Sequence, residues 1–117
     1  MNTQRAWTKE LRDKALALLP NEAAWMKFAY GRAGGRYGTR VHPCDAACDC
    51  RCAVGVVIAT LGLPDLELTH DKIVLEHEMM VHLGWDMGSL MAWNDNPKRR
   101  FEEVRRAFET VPIREDE

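Results

Sequence analysis

Apolar residues recur at helical spacing along most of this chain. Trp7, Leu11, Ala15, Leu18 and Leu19 share one face and predict a helix over residues 3–19. Pro20 stops it, and Asn21 is placed to cap a second helix over 22–30 that buries Trp25, Phe28 and Ala29 before Gly31. Val54, Val57, Ile58 and Leu61 form the next stripe. The β-branched run Val56-Val57-Ile58 also suits a strand, but Gly62 and Pro64 close the segment as they would a buried helix over 53–61. Thr69 caps a helix reaching Leu83, with Ile73, Val74, His77, Met80 and Val81 inward and Gly84 at its end. Asp86 caps a short helix through Leu90, Met91 and Trp93. Asp95 or Asn96, followed by Pro97, opens a last helix that turns Phe101, Val104, Phe108 and Val111 inward and Arg99, Arg100, Arg105 and Arg106 to water. Residues 112–117 read as a frayed tail.

Residues 31–51 carry neither a helical nor a strand period. A structureless stretch of that length inside a compact domain calls for something to organise it. The expected fold is therefore all-α: one domain over 1–117, about five short helices, and a long Gly/Cys-rich, zinc-organised loop between the second and third.

The chain has 117 residues, 46% of them hydrophobic, enough for one ordinary core. A net charge of -2 excludes a uniformly basic nucleic-acid binder, and 29% charged residues is no disordered tail. The charge is unevenly placed. Residues 1–60 hold nine Lys/Arg against five Asp/Glu, and residues 61–117 hold seven against thirteen. The first ten residues have no apolar segment of the kind a signal peptide needs, and the longest apolar run, 52–63, is too short to cross a bilayer. A reducing, cytoplasmic setting is the expectation, with no membrane partner.

All four cysteines fall in Cys44-Asp-Ala-Ala-Cys48-Asp-Cys50-Arg-Cys52, with His42 two residues before the first. Zinc takes four thiolate or imidazole ligands in a tetrahedron, so His42, Cys44, Cys48, Cys50 and Cys52 offer five candidates for four places. His70, His77 or His82 can also supply a distant fourth ligand. With four protein ligands the ion would fold the loop and leave no position for catalytic water. Competing readings are free buried thiols, disulfides, which the Cys-x-Cys spacing strains, and an iron–sulfur cluster, whose usual spacings are not matched.

Two stretches carry a resemblance: Cys52-Ala53-Val54-Gly55 opening an apolar helix, and Met91-Ala92-Trp93-Asn94-Asp95-Asn96-Pro97 leading into Phe101-Glu102-Glu103-Val104. Together they resemble a family of small bacterial and phage proteins, a domain of unknown function, with a Cys-Ala-Leu-Gly helix start and a Trp-Asn-Asp turn before a Thr-x-x-Glu-Val helix. The resemblance implies a fold and no activity. It implies that Cys52 is structural, at a helix start, which leaves His42, Cys44, Cys48 and Cys50 as the coherent ligand set. Arg100 replaces the family's capping Thr, so capping would pass to Asp95 or Asn96.

Other constellations compete for a role. Cys52, His77 or His82, and Asn94 follow the nucleophile–base–orienter order of a cysteine hydrolase, and a thiol at a helix N-terminus is activated. His77 and His82 lie five apart, not the four a zincin helix needs. Arg32, Arg36, Tyr37 and Arg40 form a basic, aromatic segment over 32–40 that suits a macromolecular partner, including a nucleic-acid backbone, with Lys27 and Arg51 extending it. Trp85 and Trp93, and the methionines Met79, Met80, Met87 and Met91, suit either packing or an adaptable binding face. The expected function is a small interaction protein. It would bind a macromolecule, most simply a protein, as a host-directed binder or inhibitor if phage-encoded. The alternatives are a hydrolase using Cys52 and a nucleic-acid-binding module using 32–40.

Overall fold

The computed structural model describes residues 5–63, 69–84 and 88–114. The expected helix start at Thr3, and the roles given to Pro64, Trp85, Asp86, Met87 and 115–117, lie outside the described residues. Among the described residues five α-helices are present: α1 (Lys9–Ala17), α2 (Ala53–Leu61), α3 (His70–His82), α4 (Leu90–Asp95) and α5 (Phe101–Thr110). Three short strands join them: β1 (Gly31–Ala33), β2 (Thr39–Arg40) and β3 (Cys50–Arg51). The architecture is mixed α/β, which corrects the all-α expectation.

Apolar α2 is the centre. Ala53, Val54, Gly55, Val56, Val57, Ile58 and Thr60 are buried, and the helix packs on α1, α3 and α4. Around it Trp7, Leu19, Leu75, Met79, Leu90, Trp93, Val104 and Phe108 complete one core. Trp7 meets Phe108 edge-on at 5.7 Å and donates its indole N–H to the Leu75 carbonyl at 3.0 Å. The backbone N–H groups of Ala6 and Trp7 reach the Glu78 carboxylate, at 2.8 and 3.4 Å, and the Arg114 N–H reaches the Trp7 carbonyl at 2.7 Å. Residues 6 and 7 are thereby tied to α3, and residue 114, expected in a frayed tail, is tied back to residue 7.

Local chemistry sets the helix ends. Thr8, Thr69 and Ser89 accept from the backbone N–H of Leu11, Lys72 and Ala92. At α5 the Glu103 carboxylate accepts the Arg100 N–H at 2.9 Å. An arginine side chain offers no acceptor in return, so only the acidic half of a capping box is present. Asn96 takes the Lys98 N–H instead, and neither it nor Asp95 caps α5 as expected.

The expected second helix is one 3-10 turn (Glu22–Ala24), after which the chain is extended: Trp25 bridges to Arg51 and Met26 donates to the Arg51 carbonyl at 3.1 Å. The expected zinc-organised loop is an antiparallel sheet of order β2-β1-β3, with Arg32 opposite Arg40 on one side and Cys50 on the other. Its turn is set by Gly34 and Gly35 at φ 86 and 88, a region that suits glycine. Their N–H groups donate to the Asp49 carboxylate at 3.2 and 3.0 Å. Hydrogen bonding organises this segment where a metal had been expected to.

Helix α3 is rotated from the expected setting. Lys72, Leu75, Met79 and Met80 are buried, whereas Ile73, His77 and Val81 are exposed. Leu75 and Met79 lie four residues apart, the same step that links Ile73 to His77 and His77 to Val81, and the Leu75 carbonyl serves Trp7. Arg99, expected in water, lies over the Trp93 ring at 4.1 Å with Nε on the Trp93 carbonyl.

Candidate functional site

The two sequence motifs meet at one corner. Buried α2 cannot give its first N–H groups to water, so they need protein acceptors. The Cys52 thiol accepts the Gly55 N–H at 3.4 Å, and Asn94 Oδ1 accepts the Ala53 N–H at 2.9 Å. Gly55 is required for a different reason: a Cβ there would collide with the Tyr30 carbonyl oxygen. The Cys-x-x-Gly motif thus caps α2 and seats the backbone of residue 30 against it.

Asn94, at 0% exposure, holds the other side of the corner. Its Oδ1 also accepts the Trp25 indole N–H at 2.7 Å, and its Nδ2 donates to the Met26 carbonyl at 3.1 Å and to the Asp95 carboxylate at 3.0 Å. Asp95 in turn accepts the Phe28 N–H at 3.0 Å, and Lys27 donates to the Asn96 carbonyl at 2.7 Å. Residues 25–28 are clamped by 94–96.

That clamp forces an unusual conformation. Phe28 has φ 69, the one positive φ outside glycine among the described residues, and the residue is 67% exposed. A bulky side chain in this region costs roughly 1–2 kcal/mol. Burial does not repay it, since the ring points out; the sequence had placed Phe28 in the core. The ring forms a ridge between two grooves. One, of about 360 Å³, is lined by Trp25, Lys27, Arg36, Tyr37 and Arg99 among others. The second, of about 510 Å³, is lined by Tyr30, Arg40, His42 and Met91 among others.

The basic segment contributes unequally. Tyr37, 92% exposed on the β1–β2 turn, and exposed Arg36 and Arg40 belong to this face. Arg36 stands 3.9 Å from Glu22. Arg32 folds inward, donating to the Gly38 carbonyl at 2.8 Å, and Arg51 donates to the Pro43 carbonyl at 2.8 Å.

The five expected zinc ligands do not converge. Cys44 points its thiol at the Leu63 carbonyl, 3.4 Å away, near the end of α2. Cys48 points at the Cys50 carbonyl, Cys50 lies in a small cluster with Met26 and Ala29, and Cys52 caps α2. His42 Nδ1 accepts the Cys44 N–H at 3.0 Å. Among the described residues no three His, Cys, Asp or Glu side chains are grouped to hold a metal ion, and exposed His70, His77 and His82 do not complete such a group. The zinc donor set does not fit this arrangement. Burial raises the Cys44 and Cys50 thiols above the ordinary value and pushes Cys52 up to about 12.

The alternative catalytic set is likewise not assembled. Cys52 is sealed at the helix start, Asn94 is fully engaged with the backbone corner, and His77 is an exposed residue of α3. Sequence reasoning missed Phe28 and Tyr30 as site residues, and named Met91 only among the methionines suited to packing or to an adaptable binding face. Their only local signal is the aromatic pair flanking residue 29 before the glycine-rich turn; the clamp that exposes Phe28 comes from residues almost seventy positions away.

No helix of the described residues is long and apolar enough to cross a membrane. No curated protein and no solved structure matches the chain. Residues 5–112 match the model of a family of unknown function, DUF6197, and the chain belongs to that family.

Proposed function

We propose that this is a small interaction protein that docks a protein partner on the face around Phe28. The observation carrying the reading is the strained, exposed Phe28. The fold commits a buried asparagine, an aspartate and a close glycine contact to a corner whose product is an aromatic ring held in solvent. Strain of this kind gathers at ligand-contact positions, and exposed aromatics with flanking arginines are the usual anchors of protein interfaces. Phe28, Tyr37, Arg36 and Arg40 supply both. A partner with apolar side chains and acidic neighbours suits them.

A nucleic-acid partner is less well supported. Lys27, Arg32 and Arg99 are engaged on backbone carbonyls. That leaves Arg36 and Arg40 as the cations turned outward on this face, whereas a phosphate track that binds well uses roughly 6–10 contacts. A hydrolase using Cys52 lacks an accessible nucleophile, since that thiol is wholly buried. A structural zinc would require Cys44, Cys48 and Cys50 to leave their present neighbours.

The test is affinity capture with tagged wild-type protein and with Tyr37→Ala and Arg36→Glu/Arg40→Glu variants, each checked for unchanged melting. The reading expects one or a few captured proteins to be lost from the variants. Capture unaffected by both variants would contradict it, and retention of nucleic acid with a steep salt dependence would replace the protein partner.

A further inference from the structure

We infer that the groove on the far side of Phe28 takes the C-terminal carboxylate of a partner polypeptide, its last side chain apolar. This rests on the interaction reading and names the chemistry of the partner. The groove of about 510 Å³ has apolar walls, from Phe28, Tyr30, Val41 and Met91, and no acidic residue lines it. Its charged and titratable side chains besides Tyr30 are Arg40 and His42. Among the described residues the exposed Arg40 guanidinium has no carboxylate partner. His42 accepts the Cys44 N–H through Nδ1, which in the neutral ring leaves Nε2 as an N–H donor, and that buried Nε2 has no partner.

Two donors without acceptors therefore border one apolar groove. An arriving carboxylate pairs with Arg40 in the fork geometry a guanidinium favours, and a small turn of the His42 ring, whose Nε2 is closed to solvent, gives that nitrogen the oxygen it lacks. The apolar walls then select the side chain that accompanies the carboxylate. An open groove beside an exposed ridge suits the end of a chain continuing past Phe28. A fully enclosed pocket would suit a free metabolite. The neighbouring grooves differ: an acidic residue lines each of the others described, Asp71 in one, Glu10 and Asp13 in another, Glu22 in the third.

The experiment titrates the full chain with hexapeptides randomised at their last three positions, prepared as free acids and as C-terminal amides. It is followed by 15N chemical shifts of Gly31, Val41 and the Arg40 side chain. Free acids ending in an apolar residue are expected to give saturating shifts at these positions, with amides about tenfold weaker or more. Arg40→Gln should cause a similar loss. His42→Asn, which keeps an acceptor for the Cys44 N–H but lacks a donor at the Nε2 position, should also weaken the acids and leave the amides unchanged. No shift with any peptide, or equal binding of acids and amides, overturns the assignment. Octanoate binding as tightly as the best peptide overturns the polypeptide source. If the Tyr37 and Arg36/Arg40 variants lose captured partners while peptides show no preference for the acid, the interaction reading stands and the carboxylate site falls.

Discussion

Replacing Asn94 by alanine tests the corner most severely. The side chain is wholly buried and ties together the start of α2, the indole of Trp25 and the carbonyl of Met26. Asn94→Ala leaves one backbone N–H, one indole N–H and one carbonyl without their partner in a site closed to solvent. Each stranded group costs about 1–3 kcal/mol, and a water entering the small void recovers part of it. A net loss of about 3–5 kcal/mol follows, a large share of the roughly 5–15 kcal/mol that holds a domain of this size. Urea unfolding followed by tryptophan fluorescence measures it as a fall in midpoint at constant slope. Trp25→Phe removes one of the three groups. The double variant should therefore cost less than the sum of the singles by about 1 kcal/mol or more. A loss below about 1 kcal/mol for Asn94→Ala, or strict additivity with Trp25→Phe, would refute the claim that this amide organises the corner.

Three further outcomes follow from the same geometry. Gly55→Ala drives a methyl group into the Tyr30 carbonyl and should cost at least about 2–3 kcal/mol, since backbone on both sides must move; thermal unfolding reads this directly. Cys52, buried with its thiol at about 12 against an ordinary 9.0, should resist alkylation at neutral pH. The unfolded thiol ionises first as pH rises, so stability is full below about pH 8 and falls through the window from 9 to 12. The Cys52 thiol should account for about 1.4 kcal/mol of the loss by pH 10, read as the difference between the wild type and Cys52→Ser. The dispersed donors predict that tag-free protein carries no stoichiometric zinc by elemental analysis and that Cys44, the exposed thiol, titrates first under native conditions.

What was legible in the sequence was whatever short-range chemistry fixes. The stripe of Val54, Val57 and Ile58, closed by Gly62, marks α2; Thr69 marks the start of α3; Phe101, Val104 and Phe108 mark the buried side of α5. The sheet was not legible because strands of two or three residues show no period. They exist through Asp49 holding the Gly34–Gly35 turn and Arg51 meeting Met26. The rotation of α3 was hidden because Ile73, His77 and Val81 repeat at the same four-residue step as Leu75 and Met79, and Trp7, far away in sequence, decides between them. Phe28 was assigned to the core on the apolar pattern of 22–30. The exposed setting comes from Asp95 and Asn96, and no local pattern encodes it. The cysteines were legible as a cluster in sequence but are not one in space, because β3 and the turn before it send neighbouring thiols to different surroundings.

The central claim is that Phe28 is kept for display at a cost in stability. Phe28→Gly tests it in a single variant, measured by thermal unfolding and by partner capture. Glycine relieves the strain at φ 69 but adds freedom to the unfolded chain, for a net gain of about 0.5–1 kcal/mol, or a melting temperature roughly 2–5 °C higher. The account predicts that gain together with loss of the captured partner. A variant that melts several degrees lower, or one that captures the partner as the wild type does, would contradict it.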